Sequence, residues 1–396
     1  MHMPLNQFSP DVKLGFVSAS RDCFPRELSV KRSRKVRQAA KQAGLELVTP
    51  NGRAQVIESK KDAVSAAHQL HAEGADAAVL YLGNFSPEIE DACFVKEFPG
   101  TVMLLAAAEE STDSLAQDRG DALCGLLSAT MAVSKRDLLQ RVYIPEVPVV
   151  DVDAAVDALQ DFVKIVKIVK GAQNATLGLF GPRPRDFETC NYNISSLLSI
   201  GMEVEEFGFF DLQNKVEELK KGKKLSKIIA SMKREMKGIP QGKFVDRLAA
   251  YEKAVLDLRD EHKLSGMTSQ CWAEQEFALG HVPCYINARM AARGFPVACE
   301  NDAYSLASEL LAQYASDASV TVLDINHSIP ADMAEQVNGI PAGDLVGLFH
   351  CGNTAPCRLQ DAEMKHQAIM KRVMEPESEP DISRGTIEGM ISASPI

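Results

Sequence analysis

The chain has 396 residues, 45% of them apolar and 24% charged, which is the make-up of a globular protein with two or three cores. Its net charge of −11 argues against a nucleic-acid surface over the whole molecule. No apolar run reaches the roughly 20 residues that span a bilayer, so no membrane partner is expected.

Strand-like and helix-like segments alternate from the start, the α/β signature. Residues 13–18 read as a first strand, followed by an arginine-rich turn and a helix over 29–43. Segments 45–48, 77–82 and 101–106 read as further strands, with helices over 60–72 and 113–132. Pro145 and Pro148 stop any helix and suggest a linker, which places a first α/β domain at 1–148. A helix over 152–170 opens a second domain, 149–356, with Lys164, Lys167 and Lys170 on one face. A strand at 175–180 runs into Gly181-Pro182-Arg183-Pro184-Arg185, helices dominate to about residue 261, and alternation resumes over 267–349. The acidic, proline-bearing Glu375-Pro376-Glu377-Ser378-Glu379-Pro380 reads as exposed linker. Gly385-Thr386-Ile387-Glu388-Gly389-Met390 looks like the start of a β-rich segment. The expected fold is therefore two successive Rossmann-like parallel-sheet domains and, over 357–396, a linker and the beginning of a C-terminal β-rich domain that is cut short.

Nine cysteines are spread from Cys23 to Cys357 with no CxxC pair. Reduced thiols packed as small hydrophobes fit this better than a disulfide framework. With no basic-then-apolar leader at 1–7, the expected location is the cytoplasm.

Three apolar runs end in residues that can bind a metal: Pro296-Val297-Ala298-Cys299-Glu300, Val320-Thr321-Val322-Leu323-Asp324 and Leu345-Val346-Gly347-Leu348-Phe349-His350. Such runs look like buried parallel strands, and ligands collect at the carboxyl ends of these strands in open α/β sheets. Two carboxylates and an imidazole suit Mn²⁺, Mg²⁺ or Fe²⁺ better than a structural zinc. The bland alternative is that these residues cap the following helices, as Glu300-Asn301-Asp302 can do for the next one. His327 is a rival imidazole on a loop, His281 reads as structural, and Cys351 beside His350 does not make a nucleophile–base pair by adjacency.

Arg21, just past the first strand, can hold a polyhydroxyl or anionic ligand by forked hydrogen bonds or pair with Asp22 or Glu27. The same choice applies to Gln117-Asp118-Arg119-Gly120-Asp121, and to Arg183 and Arg185. Residues 215–237 carry nine lysines and arginines against three glutamates but no interleaved aromatics, so they read as a solvated helical face. GxGxxG, GxxxxGK[ST] and GxSxG are all missing.

Cys271-Trp272, Val282-Pro283-Cys284, Gly294-Phe295-Pro296-Val297-Ala298-Cys299-Glu300-Asn301-Asp302, Phe349-His350-Cys351-Gly352-Asn353 and Arg384-Gly385-Thr386-Ile387-Glu388-Gly389 together resemble the L-fucose and L-arabinose isomerase family. The resemblance is most specific from Gly294 to Asn353; over the first 150 residues it is mainly architectural. It implies a Mn²⁺-dependent aldose–ketose isomerase working through an enediol, an intramolecular oxidoreductase of carbohydrate metabolism. Glu300 and Asp324 fall on the family's metal-binding acids and would divide the base and acid roles, and His350 falls on a metal-binding histidine. Arg21, Gln117, Trp272 and Asn353 become substrate-binding candidates. The resemblance further implies a homo-oligomer, hexamer or trimer, with its active site at a subunit interface. The family also takes a histidine from its carboxy-terminal domain, which the chain as given is expected to lack. The alternatives are a non-catalytic sugar-binding or regulatory protein on the same fold, and a lyase or epimerase using the same enediolate.

Overall fold

The computed structural model describes residues 3, 5–117, 119–220, 225–272, 274–326, 329–337, 339–350, 352–366 and 384–392. They divide into two compact units, 11–170 and 1–10 with 171–396.

The 11–170 unit is built on a parallel sheet of β1 (Leu14–Ala19), β2 (Leu47–Val48), β3 (Val56–Ile57), β4 (Ala77–Leu82), β5 (Thr101–Ala107), β6 (Val142–Tyr143) and β7 (Val149–Val150). The order is β2-β1-β4-β5-β6, with β3 added to β1 and β7 to β5. Every residue of β1 and of β4 is buried, as continuous apolar strands covered by helices on both faces require. The helices are α1 (Arg26–Gln42), α2 (Lys60–Ala72), α3 (Glu88–Glu97), α4 (Thr112–Gln117), α5 (Ala122–Ser134) and α6 (Val152–Gln173). Ser59 caps α2 by accepting a hydrogen bond from the Asp62 amide. Gly83, just after β4, allows α1 to pack closely, because a Cβ there would lie 2.6 Å from Ser29 Cα. The strand order turns between β1 and β4, which puts a crevice at their carboxyl ends.

Three expectations for this region need correcting. The segment around Pro145 and Pro148 is not a linker: β6 and β7 flank it and both pair with β5. The unit closes after α6 instead, because Phe162 and Val166 of that helix are buried in the same core as β4 and β5. The single helix expected over 113–132 is two helices. The break falls where the Gly120 and Asp121 amides donate to Glu109 Oε1 at 2.9 and 3.0 Å.

The other unit holds a second parallel sheet, β8 (Thr176–Phe180), β9 (Glu203–Phe207), β10 (Gly266–Thr268) and β11 (Val297–Ala298), in the order β11-β10-β8-β9. Its strand order turns between β8 and β10. Around it lie α7 (Ile194–Ser199), α8 (Phe209–Lys220), α9 (Ser226–Glu235), α10 (Lys243–His262), α11 (Glu274–Leu279), α12 (Cys284–Ala291) and α13 (Ala303–Ser316). The core beneath is centred on α10, where Leu248, Tyr251 and Val255 are fully covered. It encloses an ionic cluster: Arg289 and Arg293 donate to Glu252 at 2.8 and 3.0 Å, and Arg289 also pairs with Glu235. In the basic stretch, Lys215 pairs with Glu261 and Lys220 with Glu217, as a solvated helical face does.

The apolar runs ending in Asp324 and His350 are not buried strands of this sheet. Residues 320–323 have no regular structure, and β12 (Asp324–Asn326), α14 (Ala331–Ala334) and β13 (Gly347–Phe349) follow, with β12 and β13 pairing antiparallel. Ile325, Leu348 and Phe349 are exposed, so the ribbon stands on the surface. An apolar run does not distinguish a core strand from a surface ribbon.

The β-rich segment expected at the C-terminal end is present. β14 (Leu359–His366) and β15 (Arg384–Ile391) form an antiparallel ribbon whose Met364 and Ile387 enter the α10 core. The ribbon packs with the second unit, which takes in residues 171–396. The acidic segment 375–380 lies outside the described residues. Among the described residues no helix is long and apolar enough to cross a membrane.

Candidate active site at the ends of β8, β10 and β11

Glu300 follows β11 at once, and its backbone is left-handed, φ 55°, as is that of Asn301, φ 54°. Each costs roughly 1 kcal/mol for a residue with a Cβ, so the surroundings must enforce the turn. Asn301 supplies the enforcement. Its amide donates to the Ser269 carbonyl, its side-chain nitrogen donates to Gly181 O beyond β8, and its side-chain oxygen accepts from Thr268 of β10. One asparagine thus ties the ends of β8 and β10 across the point where the strand order turns. Asp302 then caps α13, accepting from the Tyr304 and Ser305 amides at 2.9 and 3.1 Å. Capping falls to Asp302 alone, which leaves the Glu300 carboxylate available for other work.

That carboxylate lies in a polar pocket made by the chain's own ends of strand. Cys271 Sγ donates to Glu300 Oε1 at 3.3 Å, and Trp272 adds a hydrogen bond. Burial pushes the Glu300 carboxyl above the usual range; these two bonds oppose the shift, while the Asp324 and Asp302 charges reinforce it. Asp324, largely exposed, lies 3.9 Å from His350 Nδ1. Burial pushes His350 down against the pull of Asp324, so its ring is neutral at neutral pH. Its other nitrogen, Nε2, is buried and has no hydrogen-bond partner among the described residues. Asn353, also buried, donates to Cys299 Sγ at 3.3 Å. Burial, Asp302 and Glu300 together raise the Cys190 thiol at the same crevice. A cavity of about 480 Å³ opens beside it, lined by Gly181, Arg183, Asn191, Tyr192, Glu206 and Asn301 among others. Arg183 is held there by Asn191 Oδ1 and the carbonyls of Pro184 and Arg185.

Glu300, Asp324, His350, Trp272 and Asn353 therefore fall in one region of the second unit. They are not drawn into one cage: among the described residues, the ligand atoms gathered within 4.8 Å of one another are those of Cys271, Cys299 and Glu300. The donor set still fits a divalent cation. A half-buried carboxyl, two further carboxylates acting on it and an imidazole nitrogen without a partner among the described residues are an excess of acceptors that a cation relieves.

Arg21 and Gln117 belong to the 11–170 unit. Arg21 sits at the crevice between β1 and β4, where its amide donates to Asn84 Oδ1 and its Nε to Ser86 O. Its guanidinium lies over Phe85, 4.5 Å from the ring centre, and reaches Glu88 at 3.8 Å. Gln117 ends α4, and its side chain, like His327 and Cys351, lies outside the described residues. His281 is buried between α11 and α12, packed on Tyr251, and burial pulls it down to about 4. The sequence pointed to Asn301 only as part of a helix cap and to Cys299 only as a packed thiol; its signal for them, and for Cys271, was their place in the segments that carry the family resemblance.

No curated protein matches the chain. Residues 15–173 match the family model described as "Fucose/sulfoquinovose isomerase, N-terminal domain", so that part of the chain is similar to the fucose isomerase-like proteins.

Proposed function

We propose that the chain is a divalent-cation-dependent aldose–ketose isomerase for a small sugar such as L-fucose, L-arabinose or a relative. One observation carries the reading: a half-buried carboxylate, Glu300, held in a left-handed turn at the end of β11 by the asparagine that ties β8 to β10, with the Asp324 charge acting on it and His350 beside Asp324. Strain held at a strand-end crevice is a mark of function rather than of folding.

Glu300, Asp324 and His350 would hold the cation, with Mn²⁺ the first choice and Mg²⁺ or Fe²⁺ the others. When bound, it would supply Lewis acidity that stabilises the negative charge developing on the sugar. Glu300, the more buried carboxylate and hence the stronger base, takes the proton from C2 and returns it to C1. Asp324, open to solvent, moves the hydroxyl proton from O2 to O1. Trp272 and Asn353 flank the site and position the sugar.

The test is conversion of L-fucose and L-arabinose by the full chain in deuterated water with added Mn²⁺, followed by NMR. Ketose formation with deuterium at the transferred position, lost in Glu300→Gln, is expected. Sugar binding without metal dependence and without conversion would establish the non-catalytic reading. A C2 epimer or cleavage products would establish an epimerase or lyase.

We also propose self-association and a reducing compartment, the cytoplasm; none of the eight described cysteines is in a disulfide. Helix α5 carries no charge, and Leu123, Leu127 and Met131, one turn apart, are exposed. A second copy across a two-fold axis would set Leu127 on the partner's Leu127 and Leu123 on the partner's Met131. Leu127→Glu should reduce the mass found by sedimentation; an unchanged mass would remove this face from the assembly.

A further inference from the structure

Two buried thiols share the pocket of Glu300, and the reaction proposed above uses neither. Cys299 lies one residue past β11, and Cys271 lies three past β10. Because β10 and β11 are neighbouring parallel strands, their ends place both sulfurs beside the carboxylate. The ligand atoms of Cys271, Cys299 and Glu300 are all within 4.8 Å of one another. A tetrahedral ion with bonds of about 2.3 Å to sulfur and about 2.0 Å to oxygen spans such a triangle after a small inward movement. Each group is also oriented: Cys271 by its bond to Glu300, Cys299 by the Asn353 amide, and Glu300 by the turn that Asn301 locks.

We propose that Cys271, Cys299 and Glu300 form a binding site for a thiophilic divalent cation, Zn²⁺ or Cd²⁺. Two sulfurs and one oxygen suit these ions and disfavour Mn²⁺ or Mg²⁺, whose preference is for oxygen. Binding releases the two thiol protons to solvent, leaving two thiolates and one carboxylate around the ion. Asn353 then donates to a sulfur that carries charge, which strengthens that bond.

The consequence for catalysis rests on the isomerase reading. Glu300 cannot serve a thiophilic ion and the sugar at once, so Zn²⁺ would compete with Mn²⁺ through their shared carboxylate. One equivalent of Zn²⁺ would silence the enzyme, and a chelator followed by Mn²⁺ would restore it.

The closing experiment reads the site without relying on activity. The full, reduced chain is loaded with one equivalent of Cd²⁺ and its thiolate-to-metal charge-transfer absorption recorded, and X-ray absorption spectra are taken with Zn²⁺. Expected are a charge-transfer band and a shell of two sulfurs with lighter oxygen or nitrogen neighbours. The band should vanish in Cys271→Ser and in Cys299→Ser and persist in a triple variant lacking the exposed Cys23, Cys124 and Cys357. Glu300→Gln should keep the band but weaken binding about tenfold. No band, a shell without two sulfurs, or a band surviving both buried-cysteine variants would overturn the proposal. If no sugar is isomerised, the band still decides the metal site. If the band is absent while Mn²⁺-dependent isomerisation persists, only the thiophilic site falls.

Discussion

The two parallel sheets each end in a crevice where the strand order turns, and they treat charge there in opposite ways. At the ends of β1 and β4, Arg32 is buried between Gly83 O and Glu109, bonded at 2.8 and 2.7 Å, with Lys35 and Glu110 paired beside it. Burial pushes Glu109 up, but the bond from Arg32 and the amides of Gly120 and Asp121 more than reverse it. At the ends of β8, β10 and β11, by contrast, Glu300 is raised by burial and by two neighbouring carboxylates, and a buried imidazole nitrogen has no partner among the described residues. The same architecture thus gives one balanced crevice and one with an excess of acceptors. Topology fixes where a site can lie, while charge balance tells which of the candidates is prepared for a cation.

The sharpest way to break this contrast is Glu300→Gln. Removing a proton-carrying carboxylate should lower turnover by about 10³-fold or more. Thermal stability should hold or rise, because a neutral amide avoids the cost of burying charge. A variant that unfolds instead would mark Glu300 as structural. Next in size is Arg32→Met in the balanced crevice. Leaving Glu109 without its main partner should cost toward the low end of about 3–5 kcal/mol in denaturant unfolding. A loss below about 1 kcal/mol would show that the pairing there is superficial.

These two crevices were unequally legible in the sequence. β4 and β5 announce themselves as runs of six or seven apolar residues, and the parallel α/β class follows. The runs before Asp324 and His350 are also apolar, yet 320–323 have no regular structure and 347–349 form half of a surface ribbon, because burial on both faces is a tertiary property that no local run encodes. The helix α3 between β4 and β5 escaped notice because its apolar residues show little helical periodicity. In the site, Glu300 was readable as a strand-end acid. Its left-handed backbone was not, since glycine, which marks most such turns, is absent at 300 and 301. The thiols at 271 and 299 meet only because β10 and β11 are neighbours, a pairing fixed by the sheet order and hidden in the linear chain.

Asp91 sharpens the comparison through pH. It is fully buried beneath the β4 end, where burial lifts its carboxyl to about 8 against the help of the Ser86 hydroxyl, which donates to it at 2.6 Å. In the unfolded chain it titrates near about 3.9. The folded state therefore binds more protons between these values, and stability falls as pH rises through them. The contribution is whole below about pH 4 and lost above about pH 8. Asp91→Asn should flatten that slope in unfolding experiments at several pH values; an unchanged slope would mean that other groups set it.

The smallest expected effect separates capping from metal binding within the acceptor-rich crevice. Asp302 holds the first turn of α13 through two amides and the Ser305 hydroxyl, which donates at 2.8 Å. Asp302→Ala should cost about 1 kcal/mol of stability, the usual worth of such a cap. Asp302→Asn, which keeps an acceptor, should cost only a few tenths. On the proposed isomerase reading, an Asp302 that serves only as a cap leaves the Mn²⁺ dependence of activity unchanged in either variant. A variant that folds normally but can no longer be activated by Mn²⁺ would instead make Asp302 a ligand. The division of labour between Glu300 and Asp302, which rests on which carboxylate the helix occupies, would then have to be redrawn.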